Sequence, residues 1–278
     1  MTEKHLPQSS LMLPVTADNR SPQVRLSPLS ATSRQRVEHA LPSLALALSG
    51  AQVDALLAYL DLISKWTRVY NLTAVRDPAE MVTHHLLDCL AAMAPLAAHF
   101  EQARRSKLGG SVHQPEVERE REPDLKPQLG QGSRLLDVGS GAGLPGVVIA
   151  ICFPDVSVTC VDTVAKKAAF IKQVALTLRL PNLTGLHARV ETLAAPTPQL
   201  FDVICSRAFA SLADFTRWSA GSLAPAGVWM AMKGKQPHEE MAALPGTVEM
   251  FHVEQLKVPA LDAERCIVWM RKRSGIAI

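Results

Sequence analysis

Little net charge remains once acids and bases are balanced: 29 Lys and Arg against 26 Asp and Glu leave +3 at pH 7. That excess does not announce a nucleic-acid binder. The pI near 8.6 permits a polyanionic partner but equally describes ordinary cytosolic enzymes. The five cysteines, Cys89, Cys152, Cys160, Cys205 and Cys266, form no CxxC pair. A disulfide framework or zinc site is therefore not expected, and a reducing compartment is. No apolar stretch opens the N-terminus as a signal peptide would, and no run approaches a membrane span. No internal repeat is found. These absences lead to the expectation of a soluble cytoplasmic chain that holds no metal and no membrane. What is present is a 47% apolar content over 278 residues, enough for one large α/β domain with additions.

Composition divides the chain into four. Residues 1–33 are rich in Ser, Pro and Thr and read as a disordered tail. Residues 34–100 read as an N-terminal helical region. Ser49 with Gln52 makes a capping box ahead of Val53, Leu56, Leu57, Leu60, Ile63 and Trp66 at helical spacing. A second helix starts at Asp77-Pro78-Ala79-Glu80, a cap, a first-turn proline and an acid, and continues to about Phe100. Residues 101–132 lose nearly all large apolar side chains while their acids and bases balance. They read as a solvated inserted loop, since an RNA-contacting arm would be net basic.

Residues 133–278 alternate strands and helices. Strands are expected at Arg134–Val138, Val156–Val161, His187–Val190, Phe201–Ser206 and Val228–Met232, with a late pair at Met250–Leu256 and Cys266–Arg271. Helices are expected at Val147–Cys152 and Val164–Leu178. This pattern predicts an α/β fold with a seven-stranded, mostly parallel, Rossmann-like sheet whose last strand runs antiparallel.

Chemistry concentrates on LLDVGSGAGLPG, Leu135 to Gly146. Gly139, Gly141 and Gly143 fall on the turn leaving the first strand, where positive φ and a missing Cβ let a ligand approach the backbone. Asp162 ends the next strand, where its carboxylate can accept from both ribose hydroxyls of an adenosine. A dinucleotide enzyme would carry G-x-G-x-x-G facing a pyrophosphate. The spacing here, D-x-G-x-G-x-G, suits S-adenosylmethionine and disfavours a nicotinamide cofactor. A methyltransferase acting on another RNA site or on a small molecule, and a non-catalytic RNA-binding regulator, remain the alternatives.

No Asn/Asp-Pro-Pro-aromatic motif of an exocyclic-amine methyltransferase follows the fourth strand, which reads Ser206-Arg207-Ala208-Phe209. Cys205 lies in an apolar strand without a neighbouring Pro and reads as inert core. A nucleophile that loses no proton, such as guanine N7, is compatible with this region, because its catalysis would rest on alignment. Arg207 is the candidate for such a positioning role. Lys65, Arg68, Arg76, His84, Lys233 and Lys235 are candidate RNA phosphate contacts. His84 and His85 are adjacent on a helix and diverge too far to pair on a metal. Asp88, flanked by apolar residues, suggests a buried cap or network residue without specific chemistry.

WTRVYNLTAVRDPAEMVTHHLLDCL, LLDVGSGAGLPGVVIA, Ala188 to Glu191, ICSRAFASL and VPALDAER together resemble the bacterial 16S rRNA guanine-N7 methyltransferase family, also called glucose-inhibited division protein B. The resemblance runs from about Leu41 to Met270, excluding the insert. It implies a class I S-adenosylmethionine methyltransferase fold with an N-terminal helical extension, acting as a monomer on N7 of guanine 527 of 16S rRNA in the small ribosomal subunit. It also implies cofactor contacts at Gly139, Leu144, Val190, Glu191 and Arg207, with Asp162 as the acid after the second strand. The insert and the tail depart from the family pattern without touching these motifs.

Overall fold

The computed structural model describes residues 28–108, 132–194 and 199–273. Most of the tail and of the insert thus lies outside the described residues. One sheet holds seven strands: β1 (Arg134–Val138), β2 (Ser157–Asp162), β3 (Leu183–His187), β4 (Phe201–Arg207), β5 (Leu223–Lys233), β6 (Val248–Leu256) and β7 (Arg265–Lys272). Their order is β3-β2-β1-β4-β5-β7-β6. The first five strands pair in parallel, and β7 runs antiparallel to both β5 and β6. The strand order reverses between β1 and β4, so a crevice opens beyond their carboxyl ends.

Helices cover both faces. The N-terminal part supplies α1 (Pro28–Ala40), α2 (Gly50–Tyr70), α3 (Pro78–Met81), a π turn (Val82–Leu87), α4 (Asp88–Leu90) and α5 (Met93–Leu108). The sheet region adds α6 (Gly146–Cys152), α7 (Ala165–Thr177), α8 (Leu212–Ser219) and α9 (His238–Ala242). Residues of α2, the π turn, α6 and α7 share one apolar cluster with Leu135, Val203 and Cys205 of the sheet. Leu136, Val138 and Ile204 point the other way, into a second cluster with Leu212 and Phe215 of α8. That split is the two-residue alternation of a strand buried on both faces.

Local chemistry explains the element ends. Ser49 Oγ accepts from the Gln52 N–H at 3.3 Å while Gln52 Oε1 accepts from the Ser49 N–H at 2.9 Å, the expected capping box. The amide of Gln52 then donates to the carbonyls of Ile151 and Cys152 at 3.0 and 3.1 Å, tying the start of α2 to the end of α6. Asp77 Oδ1 accepts from the Ala79 N–H at 2.8 Å and starts α3. The helical run Ala79–Ser106 is long and apolar enough to cross a membrane by length and composition, contrary to expectation. Its most apolar window is 72% buried inside the fold, as in a core helix.

Several boundaries differ from the sequence reading. Helix α1 begins at Pro28, inside the expected tail, and α5 extends to Leu108, inside the expected loop. The third strand is Leu183–His187, and Val190–Ala194 forms a 3₁₀ turn instead. Asn182 fixes that strand's start by donating to the carbonyls of Ala150, Phe153 and Val156 at 3.0, 3.3 and 3.1 Å. Helix α8, capped by Ser211 Oγ accepting from the Asp214 N–H at 3.1 Å, is an element the sequence reading lacks.

Candidate active site

The site grows out of the turn after β1. The N–H groups of Gly139 and Ser140 both donate to the Val161 carbonyl, at 3.0 and 3.2 Å, so the loop leans onto the end of β2. Gly139, Gly141 and Gly143 have φ of +66°, +59° and +91°, a region that L side chains adopt at a cost. Asp162 closes the turn from the other side. Its Oδ2 accepts from the Gly141 N–H at 3.0 Å and its Oδ1 from the Val164 N–H at 2.8 Å, while Lys167 Nζ stands 3.7 Å away.

Beneath the loop, Asp137 is completely buried. One oxygen accepts from the Gly146 N–H at 2.9 Å, and the other has no hydrogen-bond partner within bonding distance among the described residues. Burial pushes the Asp137 carboxyl up to about 7, against the opposing pull of the Gly146 N–H and the Arg207 charge. Gly146 has no room for a side chain, since a Cβ would lie 2.4 Å from Cys160 Sγ and 2.8 Å from Asp137 Oδ2. Helix α6 can therefore start directly on the strands. Tyr59 of α2 donates its hydroxyl to the Ala142 carbonyl at 2.6 Å, so the N-terminal helices brace the loop.

A cleft of about 380 Å³ opens at this turn, lined by Gly139, Asp162, Val190, Glu191, Phe209 and Trp218 among others. Phe209 packs edge-on against Phe215 and Trp218, with centroids 6.4 and 5.8 Å apart. The cleft joins apolar side chains, Phe209 and Trp218 among them, to the carboxylates of Asp162 and Glu191. That donor and acceptor set fits a nucleoside, whose planar base lies on apolar surface while its hydroxyls donate to acids. The residues present thus fit an adenosyl cofactor.

Four of the expected cofactor residues, Gly139, Asp162, Val190 and Glu191, meet in this cleft. Gly141 reaches it through its bond to Asp162. Gly143 and Leu144 turn inward: a Cβ on Gly143 would meet Val147 Cγ2 at 2.4 Å and Ile171 Cδ1 at 2.7 Å, and Leu144 is buried. Arg207 is absent from the lining, although the next two residues, Ala208 and Phe209, are part of it. It shares the strand parity of Val203 and Cys205, and its Nη1 donates to the His84 carbonyl at 2.9 Å and to Asp88 Oδ2 at 2.8 Å.

Of the candidate phosphate contacts, Lys65, Arg68 and Lys235 are exposed. Arg76 is exposed and donates to Asn71 Oδ1 at 2.8 Å. His84 is half-buried, and Lys233 is engaged by Glu240 at 2.9 Å. His85 is buried, bonded to Thr73 Oγ1 at 2.9 Å, and lowered to about 4 by burial and then by the Arg207 charge. The Cys205 thiol is fully buried and pushed well above its ordinary range by that burial. The sequence marks Asp137 only as the acid of the D-x-G-x-G-x-G spacing and does not single out Lys167, Phe209, Trp218 or Arg265. Asp137, Phe209 and Arg265 stand inside motifs that carry the family resemblance; Lys167 and Trp218 leave no separate signal.

This strand order, with the glycine turn after β1 and the acid ending β2, defines a class I S-adenosylmethionine-dependent methyltransferase. The family described as rRNA small subunit methyltransferase G (GidB) matches residues 52–104 and 126–268. A protein named ribosomal RNA small subunit methyltransferase G from a Polaromonas species is 63% identical over 243 residues, covering 87% of this chain and 95% of its own. One of the same name from Acidovorax ebreus is 60% identical over 247 residues, covering 87% and 99%. Among solved structures, TrmN from Thermus thermophilus aligns with a TM-score of 0.42 at 21% identity, over 51% of this chain and 45% of that one. The chain belongs to the rRNA small subunit methyltransferase G family.

Proposed function

We propose that the chain transfers a methyl group from S-adenosylmethionine to N7 of guanine 527 of 16S rRNA in the small ribosomal subunit. The observation that carries this reading is the family match, which spans both the N-terminal helices and the sheet. When bound, S-adenosylmethionine supplies an electrophilic methyl group. Asp162 and Glu191 would accept from its hydroxyls, and Phe209 and Trp218 would wall its base. Guanine N7 keeps its lone pair at neutral pH and loses no proton on methylation, so the chain has to align the two reactants and need not supply a general base.

Arg207 would act by position, offering guanidinium donors to the cofactor carboxylate or to guanine O6. Exposed Lys65, Arg68, Arg76 and Lys235 would meet phosphates and supply affinity without reading sequence. Residues 34–100 then serve as a helical region bracing the catalytic domain 133–278. A ribosomal substrate makes the enzyme a cytoplasmic one, and we read it as a monomer. The test is mass spectrometry of 16S rRNA from cells with and without the gene. We expect 7-methylguanosine at 527 only with it, and an unchanged mark in its absence would refute the assignment.

A further inference from the structure

The proposed reaction leaves the buried acid Asp88 without a task. Asp88 is 4% exposed and follows the π turn. In a regular α-helix its N–H would go to the carbonyl of His84, four residues back. Here that N–H goes to the carbonyls of His85 and Thr83, and the His84 oxygen accepts from Arg207 Nη1 at 2.9 Å. The same Nη1 donates to Asp88 Oδ2 at 2.8 Å, and Arg265 Nε donates to Asp88 Oδ1 at 2.7 Å. One irregularity in the helix therefore presents a carbonyl and a carboxylate to an arginine at the end of β4. It also takes a second arginine from the start of β7. π turns inside helices recur at functional sites.

The charge count also points beyond a structural staple. Two guanidiniums share one carboxylate, although a single arginine would neutralise it. The arginine side chains are 22% and 24% exposed while Asp88 is 6%, so the shared anion is the sheltered member. A long arginine free of such anchors samples many rotamers. One bonded to a carbonyl and a carboxylate has lost that freedom before any substrate arrives.

We propose that Asp88, presented by the π turn, is a positioning residue that holds Arg207 and Arg265 as a pair at the carboxyl end of β4, so that Arg207 meets the reactants in one orientation. This rests on the reading that Arg207 serves the methyl transfer. Asp88→Asn keeps the shape and removes the charge. With 30S subunits as substrate, kcat should fall about tenfold to a hundredfold, with KM for the subunit within about threefold of wild type.

The decisive readout is the same substitution made in Arg207→Lys, where it should cost less than about threefold because the group it orients is gone. Should Asp88→Asn alone not fold, Asp88→Asn with Arg265→Met keeps the cluster's net charge. That double variant should turn over at least about tenfold more slowly than Arg265→Met alone. Unchanged kcat in Asp88→Asn, an equal loss in both Arg207 backgrounds, or equal rates in the two Arg265→Met variants would overturn the proposal. Absence of product from the wild-type chain would instead refute the reaction, and this inference with it.

Discussion

Gly139→Ala places one methyl group where the cofactor turn has no room for it. The backbone there has φ +66°, a conformation that costs an L-residue about 1–2 kcal/mol. The added Cβ would stand 2.4 Å from Phe209 Cδ2 and 3.1 Å from Cε2. The ring must then retreat by roughly 1 Å to reach ordinary contact. It has little room to do so, because it rests edge-on against Phe215 and Trp218, and crowding of that kind costs about 1–3 kcal/mol. The substitution should therefore lower stability by about 2–5 kcal/mol. Because Phe209 and Trp218 both line the cleft, S-adenosylhomocysteine should also bind about tenfold more weakly or worse, about 1.4 kcal/mol. Urea unfolding and titration calorimetry read the two quantities. Phe209→Ala removes the clash, so Gly139→Ala made in that background should cost only the conformational part, about 1–2 kcal/mol. Additive stability losses, or wild-type affinity in Gly139→Ala, would show that the ring does not close on the turn.

Four further outcomes follow from the same structure. Asp162→Ala removes the acceptor for the Gly141 and Val164 N–H groups together with the proposed ribose acceptor, so calorimetry should show cofactor binding weakened by about 2–4 kcal/mol; near-wild-type affinity would remove Asp162 from the site. Cys205→Ala should keep turnover within about threefold, since a buried thiol with a raised pKa is no nucleophile; a dead variant, or a covalent RNA adduct in the wild type, would contradict this. Asp137 titrates at about 7 in the fold and at about 3.9 unfolded, so the folded state holds its proton more tightly. Its contribution is greatest below about pH 4 and is lost as pH rises to about 7. His85, at about 4 folded against about 6.5 unfolded, acts with the opposite sign, and stability falls as pH drops from about 6.5 to 4. Subtracting the Asp137→Asn unfolding profile from the wild-type one isolates the first effect, and a flat difference between pH 4 and 7 would refute it.

The legible parts of this sequence were the local ones. A capping box joins residues three apart, and a glycine turn between a strand and a helix lies within a dozen positions. Ser49 with Gln52, and the turn at Gly139, could therefore be read from spacing alone. The third strand was displaced because Gly185 breaks its apolar pattern, and because its start is fixed by Asn182 reaching back to the chain around Ala150 and Val156. The π turn was hidden because one extra residue per turn leaves Val82, Leu86 and Leu90 on an apolar face. Asp88 meets Arg207 across 119 positions and Arg265 across 177, and contacts at such separations leave no periodic trace. Hence the sequence marks the acid and not its partners. The sequence puts Arg207 at the end of β4, and the structure turns it toward the N-terminal helices.

The proposed reaction is methyl transfer to one atom of the small subunit. The most direct measurement gives the purified chain methyl-labelled S-adenosylmethionine and 30S subunits from cells lacking the gene, then locates the label by nuclease digestion and mass spectrometry. We expect one labelled nucleoside, 7-methylguanosine at position 527 of 16S rRNA. Label on another atom, at another position, or none at all would contradict it.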